Sequence, residues 1–298
     1  MSTPSNTVPG SPIESKATAP AVITASRRFY WSVRRELWEH RMIYTAPLAA
    51  AAVFLLAFLT ALMISPVHRH EPLDTLWEFA AALIMGTGFI VGIFYSLDAL
   101  YGERRDRSIQ FWKSLPVSDL TTVLSKFSIP LVILPLLTFA ITIVTQIIML
   151  LISSTFLLGS GHSVAMLGTR MSFFHMSLIF LYHIFTVHGL WYAPLYAWLL
   201  LVSAWARRAP FIWAFIPPFV IWGVEKIAFR STHFLALLQY RLTGPQPSNM
   251  PPGGNVMDIM SALTLQQFFS TPGLWIGLAI AAIFIAAAVR LRRYREPI

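Results

Sequence analysis

The sequence predicts an all-α integral membrane protein, and three observations carry that prediction. Of its 298 residues, 56% are hydrophobic and only 12% charged, about half the charged fraction of a soluble domain. Several uncharged runs reach the roughly 20 residues that cross a bilayer as a helix. Lys and Arg cluster beside those runs, where topology anchors facing anionic lipid belong. That placement accounts for the formal charge of +9 and argues against a nucleic-acid partner. The chain contains no cysteine, which removes disulfides, thiolate metal sites and a catalytic thiol.

Residues 1–26 are rich in Ser, Thr, Pro and Ala and lack the apolar run of a signal peptide, so a disordered tail is expected. Residues 27–43 read as an interfacial amphipathic helix. Arg28, Ser32, Arg35 and Glu39 form a polar stripe; Tyr30, Trp31, Val33, Leu37, Trp38 and Met42 occupy the other side, with the aromatics at headgroup depth and the arginines facing anionic lipid. The first span is residues 44–64. In the loop that follows, His68, Arg69, His70, Glu71 and Asp74 are the mixed charges of a solvated segment rather than a metal site. The second span, 76–100, carries Ala82, Gly86, Gly88, Gly92 and Ser96, a small-residue set suited to close packing against another span or a second copy.

Residues 101–127, YGERRDRSIQFWKSLPVSDLTTVLSKF, are the longest polar interruption in the apolar body. A helix over 103–115 places Ile109, Trp112 and Leu115 on one face and leaves Arg104, Arg105 and Asp106 polar. Pro116 stops that helix, and Ser118 caps the next, which runs through Lys126 into the membrane. Glu103-Arg104, Ser108, Phe111 to Ser118 and Leu124 to Lys126 resemble the cytoplasmic loop between the second and third spans of ABC-2 type transporter permeases. In that family this loop holds the coupling helix, which docks on a separate ATP-binding subunit. The resemblance implies docking contacts at Glu103, Arg104, Phe111, Trp112, Leu115 and Pro116.

The third span, 127–158, carries Pro130 and Pro135, which should kink its inner end. The fourth, 171–206, ends at Arg207-Arg208. The fifth, 210–229, contains Pro217-Pro218 and is a full span only if Glu225 and Lys226 sit at the outer interface; a re-entrant hairpin is the rival. The sixth, 273–289, opens with Gly273 and Gly277 in GxxxG spacing and closes the six-span domain, 44–291, before a basic tail, 292–298. Six spans with both termini inside leave only Arg69, Arg170, Lys226, Arg230 and Arg241 outside, whereas a hairpin would strand the C-terminal arginines there. The largest outer segment, 230–272, is centred on a turn-rich linker at 243–255 and flanked by stretches suited to short external helices; comparable elements in ABC-2 permeases help close the exit.

Candidate chemistry is sparse. His175, His183 and His188 share the fourth span at spacings of eight and five, which do not converge on a metal or haem; with Gln146, Tyr182 and Tyr192 they read as lining a polar interior. Asp98, near the inner end of the second span, needs a partner, and Arg104 or Arg105 can supply one; a role in ion coupling is the alternative. No GxxxxGK[ST], HExxH or GxSxG is present. The resemblance therefore implies a non-enzymatic permease in a bacterial inner membrane, with both termini cytoplasmic. It carries no cofactor, ATP and Mg belonging to the ATP-binding partner, and it pairs with a second copy of itself or a related permease. The implied substrate is a lipid, amphiphilic peptide or drug-like molecule. Two other readings stand beside it: a membrane enzyme using the fourth-span histidines, and a six-span scaffold or immunity protein with no transport cycle.

Overall fold

The computed structural model describes residues 24–64, 73–114, 117–159, 177–178, 180–182, 184–244 and 265–294. Among them every regular element is helical. Five helical stretches are long and apolar enough to cross a membrane: Met42–Ile64, Leu76–Arg105, Asp119–Thr155, Pro210–Phe229 and Pro272–Tyr294.

Helix α1, Ala25–Glu39, begins inside the segment expected as tail and ends at His40, whose N–H bonds to the Glu36 carbonyl. Only His40 and Arg41 separate it from α2, Met42–Ile64. Helix α3, Leu73–Asp98, turns at Ala99-Leu100 into α4, Tyr101–Arg105. Arg107 then takes a left-handed backbone, φ 58°, a conformation that ends a helix at a non-glycine residue at some cost. The single helix expected over 103–115 is therefore two, α4 and α5, Ile109–Ser114.

Ser118 caps α6, Asp119–Ser128, its side chain accepting from the Thr121 N–H. A π-helical turn, Ile129–Ile133, joins α6 to α7, Leu134–Gly159. The turn falls at Pro130, which has no N–H to give the regular ladder. The segment expected as the fourth span is not among those five stretches; its described part is a π-helical stretch, Ile184–Trp191, leading into α8, Ala193–Trp205, and its first residues, including His175, lie outside the described set, as does His183. Residues 68–71 lie outside it too.

The fifth segment is one helix, not a hairpin. Helix α9, Pro210–Val224, continues through Pro217 and Pro218 into a π turn, Glu225–Phe229. Arg230, at φ 48°, reverses the chain into α10, His233–Thr243. The Glu225 carboxylate caps α10, accepting from the N–H groups of His233 and Phe234 at 2.7 and 2.8 Å and from Ser231 Oγ at 2.7 Å, so it spends its charge on free donors at the helix start. Short α11, Leu265–Ser270, precedes α12, Pro272–Tyr294.

The core is assembled around α8, which packs against α12, α3, α6 and α9. Tyr95, Leu100, Val123, Ala197, Leu200, Ala281, Ile285 and Ala288 form its largest apolar cluster. The small residues of α3 divide. Gly88 admits Thr138 and Leu134, and Gly92 admits Tyr196, whereas Gly86 faces open space. The glycines of α12 receive side chains of α10: a side chain at Gly273 would meet Tyr240, and one at Gly277 would collide with the Arg241 guanidinium. Arg241 fills that notch, stacking 4.5 Å from the Trp191 ring centre and donating to the Gly273 carbonyl at 3.1 Å. The Trp191 indole N–H returns a bond to the Arg241 carbonyl at 3.0 Å.

Candidate functional site

At the end of the bundle opposite α10, four elements bring charge into the protein. Glu36 comes from α1, Glu103 from α4, Lys126 from the last turns of α6, and Arg292 from the end of α12; all four are buried. Their positions follow from helical spacing. Glu36 shares the inward side of α1 with Val33 and Leu37, and Arg292 continues the buried row of Ala281, Ile285 and Ala288 on α12.

Lys126 Nζ donates to both Glu36 oxygens, at 2.9 and 3.0 Å, and lies 3.1 Å from Glu103 Oε1. Glu36 also accepts from Arg35 and, at 2.9 Å, from the Tyr95 hydroxyl. Arg35 Nη2 reaches Glu103 Oε1 at 3.2 Å, and Arg292 Nη1 donates to the other Glu103 oxygen at 2.7 Å. Arg292 Nε is 3.2 Å from Asp119 Oδ1. Four carboxylates, Glu36, Glu39, Glu103 and Asp119, thus face three cations, Arg35, Lys126 and Arg292, with Glu39 at the more exposed edge, 3.6 Å from Arg35. Near-neutrality with shared hydrogen bonds is the condition under which buried charges persist. Burial alone pushes the Glu36 carboxyl up, but the neighbouring Lys126 and Arg35 charges outweigh it and hold it at about 2.

Glu36, Glu39 and His40 also bring ligand-type atoms within 4.8 Å of one another. The Glu36 carboxylate is committed to Lys126 and Arg35, so ion pairing accounts for this group without a metal.

The predicted docking residues separate around the cluster. Glu103 and Arg104 do not form an exposed face; they are buried beneath it. Arg104 Nη2 donates to the Ser203 carbonyl at 2.9 Å and to that of Ala206, closing the end of α8. The Ser203 hydroxyl accepts from the N–H groups of Leu100 and Tyr101 at 3.0 and 2.9 Å, closing the start of α4. This reciprocal cap satisfies end groups on both helices. Asp98 is half exposed, with Arg105 Nη1 at 4.0 Å as its cation.

Helix α5 lies on the surface and is anchored on three sides. Ile109 is buried, the Trp112 ring lies under the Arg35 guanidinium at 3.9 Å, and Lys113 Nζ reaches the Arg293 carbonyl at 3.4 Å. Phe111 is 60% exposed and edge-on to Trp112. Leu115 and Pro116 lie outside the described residues. Of the fourth-span residues, His188 is edge-on to Tyr192, 5.5 Å between ring centres. Gln146 is fully buried, and among the described residues neither of its amide atoms has a hydrogen-bond partner.

Sequence reading missed Glu36, Lys126 and Arg292 as a group. Glu36 did leave a signal, a carboxylate on the Val33 and Leu37 side of an amphipathic helix. No family profile, curated protein or solved structure matches the chain.

Proposed function

We propose that the chain is the membrane-spanning permease subunit of an ABC-2 type exporter, driven by a separate ATP-binding subunit and paired with a second copy of itself or a related permease. On this reading it crosses an inner membrane six times with both termini cytoplasmic. ATP and Mg are handled by the partner, and the cargo is a lipid, amphiphilic peptide or drug-like molecule.

The observation that carries the reading is the seating of α5. A helix that only covered the bundle would bury its aromatics. Instead Phe111 stands out while Ile109, Trp112 and Lys113 tie the helix to buried cluster and last span, as a docking element that must transmit force requires. A displacement of Trp112 acts on Arg35, hence on Glu36 and Glu103, and through them on Lys126 at the entry to the third span and Arg292 at the end of the last. Helices α1, α4, α6 and α12 then respond together.

The test is a detergent pull-down of the tagged protein from its own membranes, with mass spectrometry and an ATPase assay on the eluate, repeated with Trp112→Glu. An ATP-binding subunit captured by the wild type and lost in the variant supports the reading. A protein that brings down no ATPase in either sample removes it.

A further inference from the structure

Helix α1 has two faces with different uses for arginine. Inward, Arg35 spends its guanidinium on Glu36, Glu39 and Glu103. Outward, Arg34 lies between two indoles, 5.1 Å from the Trp31 ring centre and 4.6 Å from that of Trp38. Among the described residues it has no carboxylate within 4.0 Å and donates no hydrogen bond, leaving all five N–H donors of its planar fork unspent. The Trp31 and Trp38 indole N–H groups have no acceptor there either. Arg27 precedes Trp31 by one turn of α1, so cations and aromatics alternate along this side from Arg27 to Trp38.

The depth of this side is fixed by covalent connection. Helix α1 passes within two residues into α2, which is long and apolar enough to cross the bilayer. Tyr30, Trp31 and Trp38 are 57%, 46% and 62% exposed; such rings settle at the headgroup layer, not in water. At that depth the available acceptors are lipid phosphates, whose geometry suits a guanidinium fork.

We propose that the outward side of α1 binds the phosphate of an anionic phospholipid, with Arg34 as the central donor and Trp31 and Trp38 as its walls. The net charge favours anionic over zwitterionic headgroups, because each Arg near an anionic surface adds attraction that a zwitterionic one lacks. The site differs from the expected arrangement, in which Arg35 faced lipid. It also stands independently of the transporter reading, since it needs no ATP-binding partner.

The test uses the full-length protein in nanodiscs and by native mass spectrometry, with dioleoyl-phosphatidylglycerol and dioleoyl-phosphatidylcholine as probes. Wild type is expected to retain phosphatidylglycerol preferentially. Arg34→Gln should weaken that retention about fivefold, while Arg290→Gln, which removes an exposed charge at the same end of the bundle, should change it less than twofold. Trp31→Leu, which leaves every charge in place, should also weaken it, and circular dichroism checks that each variant stays helical. Equal losses in Arg34→Gln and Arg290→Gln, or no preference for phosphatidylglycerol in the wild type, overturn the proposal.

Discussion

The Arg35 guanidinium lies 3.9 Å from the centre of the Trp112 ring, so the side chain that bridges Glu36 and Glu103 also covers the aromatic face of α5. The surface helix and the buried cluster are therefore one mechanical unit. Replacing Trp112 by Leu keeps an apolar side chain but removes the ring. The expected cost is about 1 kcal/mol, the scale of a partly shielded cation–π contact, read as a small drop in thermal unfolding in detergent. Trp112→Glu should cost more, because it adds a further carboxylate beside a cluster in which carboxylates already outnumber cations four to three. Equal stabilities for the two variants would show that Arg35 does not couple α5 to the cluster.

The Glu36 and Lys126 pair makes a sharper test. Glu36→Gln or Lys126→Met alone takes one counter-charge from a buried group, leaving Lys126 with Glu103 alone or Glu36 with Arg35 alone, and each should lower stability by roughly 3 kcal/mol, the lower end for a broken buried pair. The double variant removes both charges and should recover much of that loss, a strongly non-additive cycle. Additive losses would mean that the two residues act on stability separately.

The contrast between these residues shows how much was legible in the sequence. Apolar run length predicted the helices, and Ser118 and Pro130 predicted a cap and a distortion, because each signal is local. Arg107 was not legible: nothing in its neighbours announces a left-handed backbone, and the two short helices result from α4 locking onto α8 through Arg104 and Ser203. That lock also explains why Glu103 and Arg104 are buried despite lying in the most polar stretch of the chain. Most of their partners lie 68 to 189 positions away, beyond any spacing argument. The glycines of α12 were read as a helix-packing notch, and the notch exists, but its occupant comes from α10.

Acid should dismantle the cluster in a defined window. The Glu36 carboxyl is held at about 2, below its ordinary 4.5. A depressed carboxyl contributes stability that is fully present above the ordinary value and is lost as pH falls through the folded one. Stability should therefore be insensitive to this group from pH 8 down to about 5 and fall between 4.5 and 2. The acid-dependent part of the loss should shrink in Glu36→Gln. An unchanged acid limb in that variant would assign the fall to other carboxyls.

Gly277→Ala places a methyl where the Arg241 guanidinium now sits. Arg241 must leave the notch, giving up the Gly273 carbonyl and the Trp191 ring, at an expected cost of about 1–3 kcal/mol. The cost arises only from displacing Arg241. In an Arg241→Ala background, Gly277→Ala should therefore be close to neutral. A similar penalty in both backgrounds would place the strain elsewhere on α12.

The last prediction concerns which parts of the chain share a side of the membrane. Helix α12 is touched at both ends: its Gly273 carbonyl accepts from Arg241 of α10, and its Arg293 carbonyl accepts from Lys113 of α5. At 1.5 Å per residue those two contacts are roughly 30 Å apart, about the thickness of the hydrocarbon layer. Helices α5 and α10 should then lie at opposite surfaces. Because the chain has no cysteine, Phe111→Cys and Leu237→Cys each introduce a single thiol, at positions 60% and 63% exposed. An impermeant maleimide added to sealed vesicles of known orientation should label one and spare the other, with the pattern reversed in vesicles of opposite orientation. Labelling of both from one side would mean that α12 does not cross, and the cluster and the Arg241 notch would then face the same compartment.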